Sequence, residues 1–319
     1  MAVYTEVNDQ ALNSFLVDYD IGSVVSFKGI AEGVENTNYL LQTDKGQFIL
    51  TLYEKRVDQS DLPFFLDLMQ HLAMAGLKCP VPVAGRDGID LRVLCGRPAA
   101  IITFLKGVCP VQIFPHHCTE VGRCMATMHK AGMSYGRKRK NSLSLKGWYS
   151  LYDAVQTCAN DFSSGLSSDL DDELRTLKNC WPVGLPEGII HADLFPDNVF
   201  FLNAECSGLI DFYFSCHDFL AYDIAIGVNA WCFDSGSILN IENFLCFLEG
   251  YESVRKLSEN EKNSLPVLFR GAALRFLLTR LYDWGNTPDN AIVQPKNPIE
   301  YLNKLKFHQS VKTIKEYGL

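Results

Sequence analysis

No apolar run in these 319 residues reaches the roughly 18 to 20 that a membrane-spanning helix needs. The amino-terminal MAVYTEVNDQ has neither the basic nor the apolar region of a secretory signal. Both absences predict a cytoplasmic protein with no membrane partner. A basic excess is missing too: 29 lysines and arginines face 37 aspartates and glutamates, a formal charge of −8. That balance argues against a nucleic-acid partner, because neutralising phosphates takes cations. The one basic run, GRKRKN at 136–141, is short enough to read as a solvated loop. Paired cysteines are lacking as well. The eleven cysteines, scattered from Cys79 to Cys246, never form CxxC, so neither a disulfide framework nor a zinc site is expected; they read as small buried hydrophobes. No internal repeat or low-complexity tract interrupts the chain. What is present is a composition 47% hydrophobic, in a chain long enough for about two domains or lobes.

Residues 21–53 read as strands. IGSVVSFKGI, NYLLQT and QFILTLYE follow one another, with Asp44-Lys45-Gly46 as a tight turn between the last two. Phe48, Leu50 and Leu52 alternate with Ile49, Thr51 and Tyr53, the period of a strand, so an antiparallel meander is predicted. A helix comes next in SDLPFFLDLMQHLAMAG, where Asp61 and Pro63 are start signals, Phe65, Leu68, Met69 and Leu72 form a stripe, and Gly76 is a stop. CPVPV and GRPAAIITFLKG add extended segments. From about residue 116 helical patterns dominate: Val121, Cys124, Met125 and Met128 share a face with Gly132 as a cap, and further helices are expected at 219–233, 242–256 and 264–284. The order is α+β, a small β-rich N-terminal part with one helix (1–105) and a larger, mainly helical C-terminal part (106–319).

Between those helices stands HADLFPDNVFF, residues 191–201, followed by GLIDFYF at 208–214. NVFFLN and CSGLIDF, joined by a connection centred on Glu205, would pair as a hairpin and bring Asn198 near Asp211. One carboxylate and one amide give a hard divalent cation its oxygen ligands, while a further carboxylate, Asp193, can accept a hydroxyl proton. Such an arrangement suits phosphoryl transfer.

HADLFPDN with the later IDF resembles the HxDxxxxN and hydrophobic-Asp-Phe motifs of the aminoglycoside phosphotransferase and choline kinase group of protein-kinase-like small-molecule kinases. The resemblance implies a two-lobed protein-kinase-like fold that uses ATP and Mg2+. It implies that Asp193 is the catalytic base or substrate orienter, that Asn198 and Asp211 bind magnesium, and that His191 braces the loop; Asp197 beside Pro196 reads as turn chemistry. Within the group, GIAEGVENTNYLL, FILTLYE, LPFFLDLMQHL and RGAALRFLLTRLYDW are similar to segments of the bacterial homoserine kinase branch. That likeness implies phosphorylation of the side-chain hydroxyl of L-homoserine, a step towards threonine. Related kinases of choline, methylthioribose, aminoglycosides or fructosamines are the first alternative. A non-catalytic nucleotide-binding protein is the second.

The chain departs from the general kinase pattern in three places. Where an ATP-gripping lysine should end a strand it reads Ile49-Leu50-Thr51, with Lys55 four residues late. The first helix has Asp67 as its only central acid. The loop GIAEGVENTNY lacks GxGxxG, although Gly33, Asn36, Thr37 and Asn38 can still offer donors to phosphates; an ordinary hairpin connection is an equal reading. Thr51 stands at the missing lysine, and backbone groups of Thr103, Phe104 and Leu105 can read the adenine edge. For an amino-acid acceptor, Arg275 is the candidate cation, since its helical neighbours are apolar and an arginine there needs an anion. Substrate or Asp223 would supply it. Arg280 can pair with Asp283. Glu32, Asp218 and Asp234 are candidate acids for the ammonium, and Tyr39 is a candidate rim aromatic, though it is as readily core.

Overall fold

A computed structural model describes residues 4–30, 36–54, 58–234, 237–287 and 294–319. The chain divides into two compact units, Met1–Gly107 with Ser207–Tyr213, and Val108–Cys206 with Phe214–Leu319.

The first unit begins with α1 (Asp9–Leu16), capped by the Asn8 side chain on the Ala11 amide. Its five-stranded antiparallel sheet comprises β1 (Val24–Gly29), β2 (Thr37–Thr43), β3 (Gly46–Leu52), β4 (Leu91–Leu94) and β5 (Arg97–Thr103), in the order β1-β2-β3-β5-β4. Alternation sets its faces. Tyr39, Leu41, Leu50, Leu52, Ala99 and Ile101 turn to one side and pack with Leu12 and Phe15 of α1. Between β3 and β4 lies α2 (Leu62–Met74), in which the expected stripe of Phe65, Leu68, Met69 and Leu72 is buried. CPVPV is no strand of its own: Pro82 makes an isolated bridge to Ile102.

The second unit holds α3 (Pro115–Gly132), α4 (Leu145–Phe162) and α5 (Leu166–Cys180), then β6 (Glu187–Ile190) and β7 (Val199–Leu202). After β8 (Glu205–Leu209) come β9 (Cys216–Phe219), α6 (Leu220–Trp231), α7 (Ile241–Glu252), α8 (Glu259–Asn286) and α9 (Ile299–Ser310). β6 pairs with β9, and β7 with β8. Several boundaries differ from the sequence pattern. α3 starts at Pro115, a residue suited to the first turn because its missing N–H needs no partner there. Gly132 is its buried last residue, and Met133 follows as the cap. α8 starts at Glu259 because Ser258 and Glu261 form a reciprocal capping box. Glu205 opens β8. The β7–β8 turn is Asn203-Ala204, both with positive φ (52° and 68°), the conformation that matches the twist of a two-residue hairpin. The basic run is tied down at its end: the Arg139 carbonyl accepts from the His217 amide of β9, and Asn141 Nδ2 donates to Asp218 at 2.7 Å.

Helices α3 and α7 touch backbone to backbone. A Cβ on Gly122 would lie 2.1 Å from the Phe247 carbonyl oxygen, and one on Gly250 would lie 2.0 Å from that of Thr119. Only glycine permits this approach. The close crossing brings His129 of α3 within 2.8 Å of the Tyr251 hydroxyl on α7.

Candidate active site

In the second unit, β6 delivers the chain from a buried strand into the loop His191–Phe195. Ala192 takes φ 64°, a turn that leaves two consecutive amides, His191 and Ala192, pointing the same way. Both donate to one carboxylate, Asp223 on α6, at 2.8 Å each. Asp223 is fully buried, and such a charge persists only with strong partners. His129 Nε2 supplies the third at 2.9 Å and is itself fixed by Tyr251. Burial pushes the Asp223 carboxyl up, but the His129 hydrogen bond, the nearby histidine charges and the loop amide outweigh it and hold the group below the ordinary carboxylate range. Further along, Trp231 Nε1 donates to the Leu194 carbonyl at 2.8 Å.

This bracing fixes Asp193. Its carbonyl accepts from the Phe195 amide at 2.9 Å and from Asn198 Nδ2 at 2.8 Å, while its side chain keeps 21% of its exposure. Because Nδ2 of Asn198 is committed to that carbonyl, the amide oxygen is the end left for another ligand. His191 is buried, and its backbone N–H is one of the two that Asp223 receives.

Arg275 lies on α8 with 3% of its side chain exposed, its Nη1 3.6 Å from Asp193 Oδ1. That is an ion pair too long for a hydrogen bond, and Nη1 has no hydrogen-bond partner among the described residues. The guanidinium rests 3.7 Å from the Phe276 ring centre and 5.6 Å from that of Phe214, an arrangement with cation–π attraction. Asp223, offered from sequence as its structural partner, is instead spent on the loop. Nor does Arg280 pair with Asp283 as expected; it reaches Glu300 at 2.6 Å and the Asn297 carbonyl.

Asp211 belongs to the first unit. It follows β8 with φ 64°, and the segment is anchored on either side. Leu209 N–H donates to the Lys78 carbonyl at 3.0 Å, and Tyr213 shares a 3.0 Å hydroxyl contact with Tyr53. Burial, with the negative charge of Asp211 adding to it, raises the pKa of both tyrosines, so they stay neutral. Thr51 is buried, donates to Asn38 Oδ1 at 2.8 Å, and also bonds Tyr213. The Thr37 hydroxyl donates to Glu54 Oε1 at 2.9 Å and accepts from the Tyr4 amide. Asn36 Oδ1 is 3.4 Å from the Glu54 amide. Thr103 Oγ1 accepts from the Val81 amide at 2.9 Å, and Phe104 and Leu105 are partly exposed. Tyr39 sits in the sheet core with its hydroxyl on the Thr5 carbonyl. Glu32, Gly33 and Lys55 lie outside the described residues.

Sequence reasoning passed over His129, Tyr251 and the bracing role of Asp223. The signal was an acid, Asp223, inside the wholly apolar LAYDIAIG, where a carboxylate requires buried donors.

A model of the phosphotransferase enzyme family matches residues 26–257. The chain belongs to this family. Among its similar phosphotransferases, the protein named homoserine kinase from Xanthobacter autotrophicus is 56% identical over 319 residues, covering all of this chain and 99% of that one. The homoserine kinase of Bradyrhizobium diazoefficiens is 57% identical over 320 residues, with 100% and 98% covered. Of solved structures, amicoumacin kinase hAmiN in complex with AMP-PNP aligns at TM-score 0.67 and 15% identity over 97% of this chain and 95% of that one. Choline kinase from Cryptosporidium parvum aligns at TM-score 0.67 and 14% identity, with 97% and 96% covered. The fold is therefore that of the small-molecule phosphotransferases, an antiparallel N-terminal sheet followed by a mainly helical part.

Proposed function

We propose that this phosphotransferase transfers the γ-phosphate of ATP to the side-chain hydroxyl of L-homoserine, yielding O-phospho-L-homoserine and ADP. The observation that carries the reading is a partly exposed carboxylate, Asp193, on a loop whose amides are fixed by a buried charge. Identity of 56% along the entire chain to a protein named homoserine kinase supports the choice of acceptor.

In the reaction, the acceptor hydroxyl oxygen attacks the γ-phosphorus in line and the bond to the β–γ bridging oxygen breaks. ADP leaves, and the hydroxyl proton passes to Asp193. The residues 1–105 are assigned to nucleotide binding, with Asn36, Thr37 and Asn38 towards the phosphates, Thr51 at the strand that lacks the lysine, and Thr103–Leu105 towards the adenine. Residues 106–319 are assigned to catalysis and acceptor binding. Asn198 and Asp211 are the proposed magnesium ligands, and their chemistry fits: an amide oxygen and a carboxylate are hard oxygen donors. Bound there, magnesium would offset the phosphate charge.

ADP release measured across L-homoserine, choline, methylthioribose, an aminoglycoside and a fructosamine tests this reading. Turnover with homoserine alone is expected. Turnover with another acceptor and none with homoserine would replace the substrate, and a raised Tm with ATP but no turnover on any acceptor would favour a nucleotide-binding protein.

A further inference from the structure

Arg275, paired at 3.6 Å with Asp193, is a buried group with unused hydrogen-bonding capacity. The Tyr301 hydroxyl, at the start of α9, is another: it is fully buried and without a hydrogen-bond partner among the described residues. Aromatic rings link the two. Phe276, beneath the Arg275 guanidinium, packs 5.1 Å from Tyr301, and Phe195 of the catalytic loop lies 4.9 Å from Phe276 and 6.5 Å from Tyr301. Burial raises the Tyr301 pKa, with the positive charges of Arg280 and Arg275 opposing and the negative charges of Glu300 and Asp193 adding, so its hydroxyl stays a donor within the fields of both Arg275 and Asp193. Leaving buried donors idle is costly, and natural sites that do so are commonly completed by a ligand.

We propose that Arg275 and Tyr301 form the subsite that recognises the α-carboxylate of the acceptor, and so select a hydroxy amino acid over an amino alcohol, a sugar or a quaternary ammonium compound. The proposal rests on the reading of the reaction given above. Its chemistry is specific: the guanidinium fork matches a planar carboxylate, and the Tyr301 hydroxyl is a further donor. The scale also agrees. In homoserine the carboxylate stands about 5 Å from its own hydroxyl oxygen, four bonds of about 1.5 Å away, and Arg275 Nη1 lies 3.6 Å from the carboxylate that takes the hydroxyl proton. The rings of Phe276 and Phe214 suit the two methylenes between.

The test compares kcat/KM for L-homoserine with that for 3-amino-1-propanol, which is homoserine without its carboxylate, in the full chain and in Arg275→Met, Arg275→Lys and Tyr301→Phe. The unaltered enzyme should strongly favour homoserine. Arg275→Met should cut that ratio roughly 10- to 100-fold, the range for a hydrogen bond to a charged group, mainly through KM for homoserine, and Arg275→Lys should restore part of it. Tyr301→Phe should reduce the ratio several-fold without lowering Tm, since a buried hydroxyl with no partner contributes nothing to the fold. A ratio unchanged in both Arg275→Lys and Tyr301→Phe, or an equal loss on both acceptors, overturns the assignment; equal loss is what contact with the transferred phosphate would produce. These two variants keep the test open where Arg275→Met fails to fold. If the unaltered enzyme does not phosphorylate homoserine, the proposed reaction fails instead, which is a separate and distinguishable result.

Discussion

Replacing Asp223 by alanine removes the acceptor of three hydrogen bonds at once and strands the His191 and Ala192 amides in a dry interior. The expected cost is about 3–5 kcal/mol, read as a lower urea midpoint. Asp193→Asn should do the opposite: kcat for ADP formation falls by roughly 10²- to 10⁴-fold while the midpoint moves little, because Asp193 is partly exposed, its shortest hydrogen bonds run through its carbonyl, and an amide oxygen can still accept from Asn198 Nδ2, 3.4 Å from Asp193 Oδ2. Asp193 and Asn198 could be proposed from sequence because one short motif holds both, and Asp211 because it stands in the IDF that follows. Asp223 was visible as an oddity but not as a brace, since its partners come from 94 and 32 positions away. The sequence offered it to Arg275, and packing gave Arg275 to Asp193.

The meander and α2 were readable from their periods of 2 and 3.6 alone. α4, α5 and α9 were not singled out, although Leu166, Leu170, Leu174 and Leu177 of α5 recur at helical spacing and are all buried; abundant polar residues between them masked the stripe. The crossing of α3 with α7 is beyond any local pattern, because the two glycines that permit it are 128 positions apart (250 − 122). Gly122→Ala should cost about 1–3 kcal/mol as an overpacked contact, seen as a lower Tm. It should also lower kcat, because spreading α3 from α7 disturbs the His129–Tyr251 contact on which Asp223 depends. A Tm drop with kcat intact would show that the helix spacing does not control the loop.

Acid sensitivity is a property of the whole molecule. His308 is fully buried between Tyr317 and Asn229, and burial, with the Lys304 and Arg270 charges adding, pushes its pKa from 6.5 to about 3. The unfolded chain therefore binds a proton that the fold refuses between those values, and stability falls as pH drops through 6.5 towards 3. From pH 7 to 5.5 the loss is about 1 kcal/mol, measurable as a fall in the urea midpoint that His308→Gln should lack. Asp223, with its pKa depressed, contributes stability that is complete above about pH 4 and lost only as pH falls through its lower folded value, so it does not add to that slope.

From sequence alone came the α+β order and the phosphoryl-transfer motif, since each is written in spacing over a few residues. Tertiary structure decided that Ser207–Tyr213, with Asp211, packs with the N-terminal unit, that Asp223 serves the loop, and that Arg275 and Tyr301 are buried with donors to spare. Those outcomes depend on which distant side chains exclude water together. A local pattern records the period of an element but not the partner that its buried face and polar groups will meet.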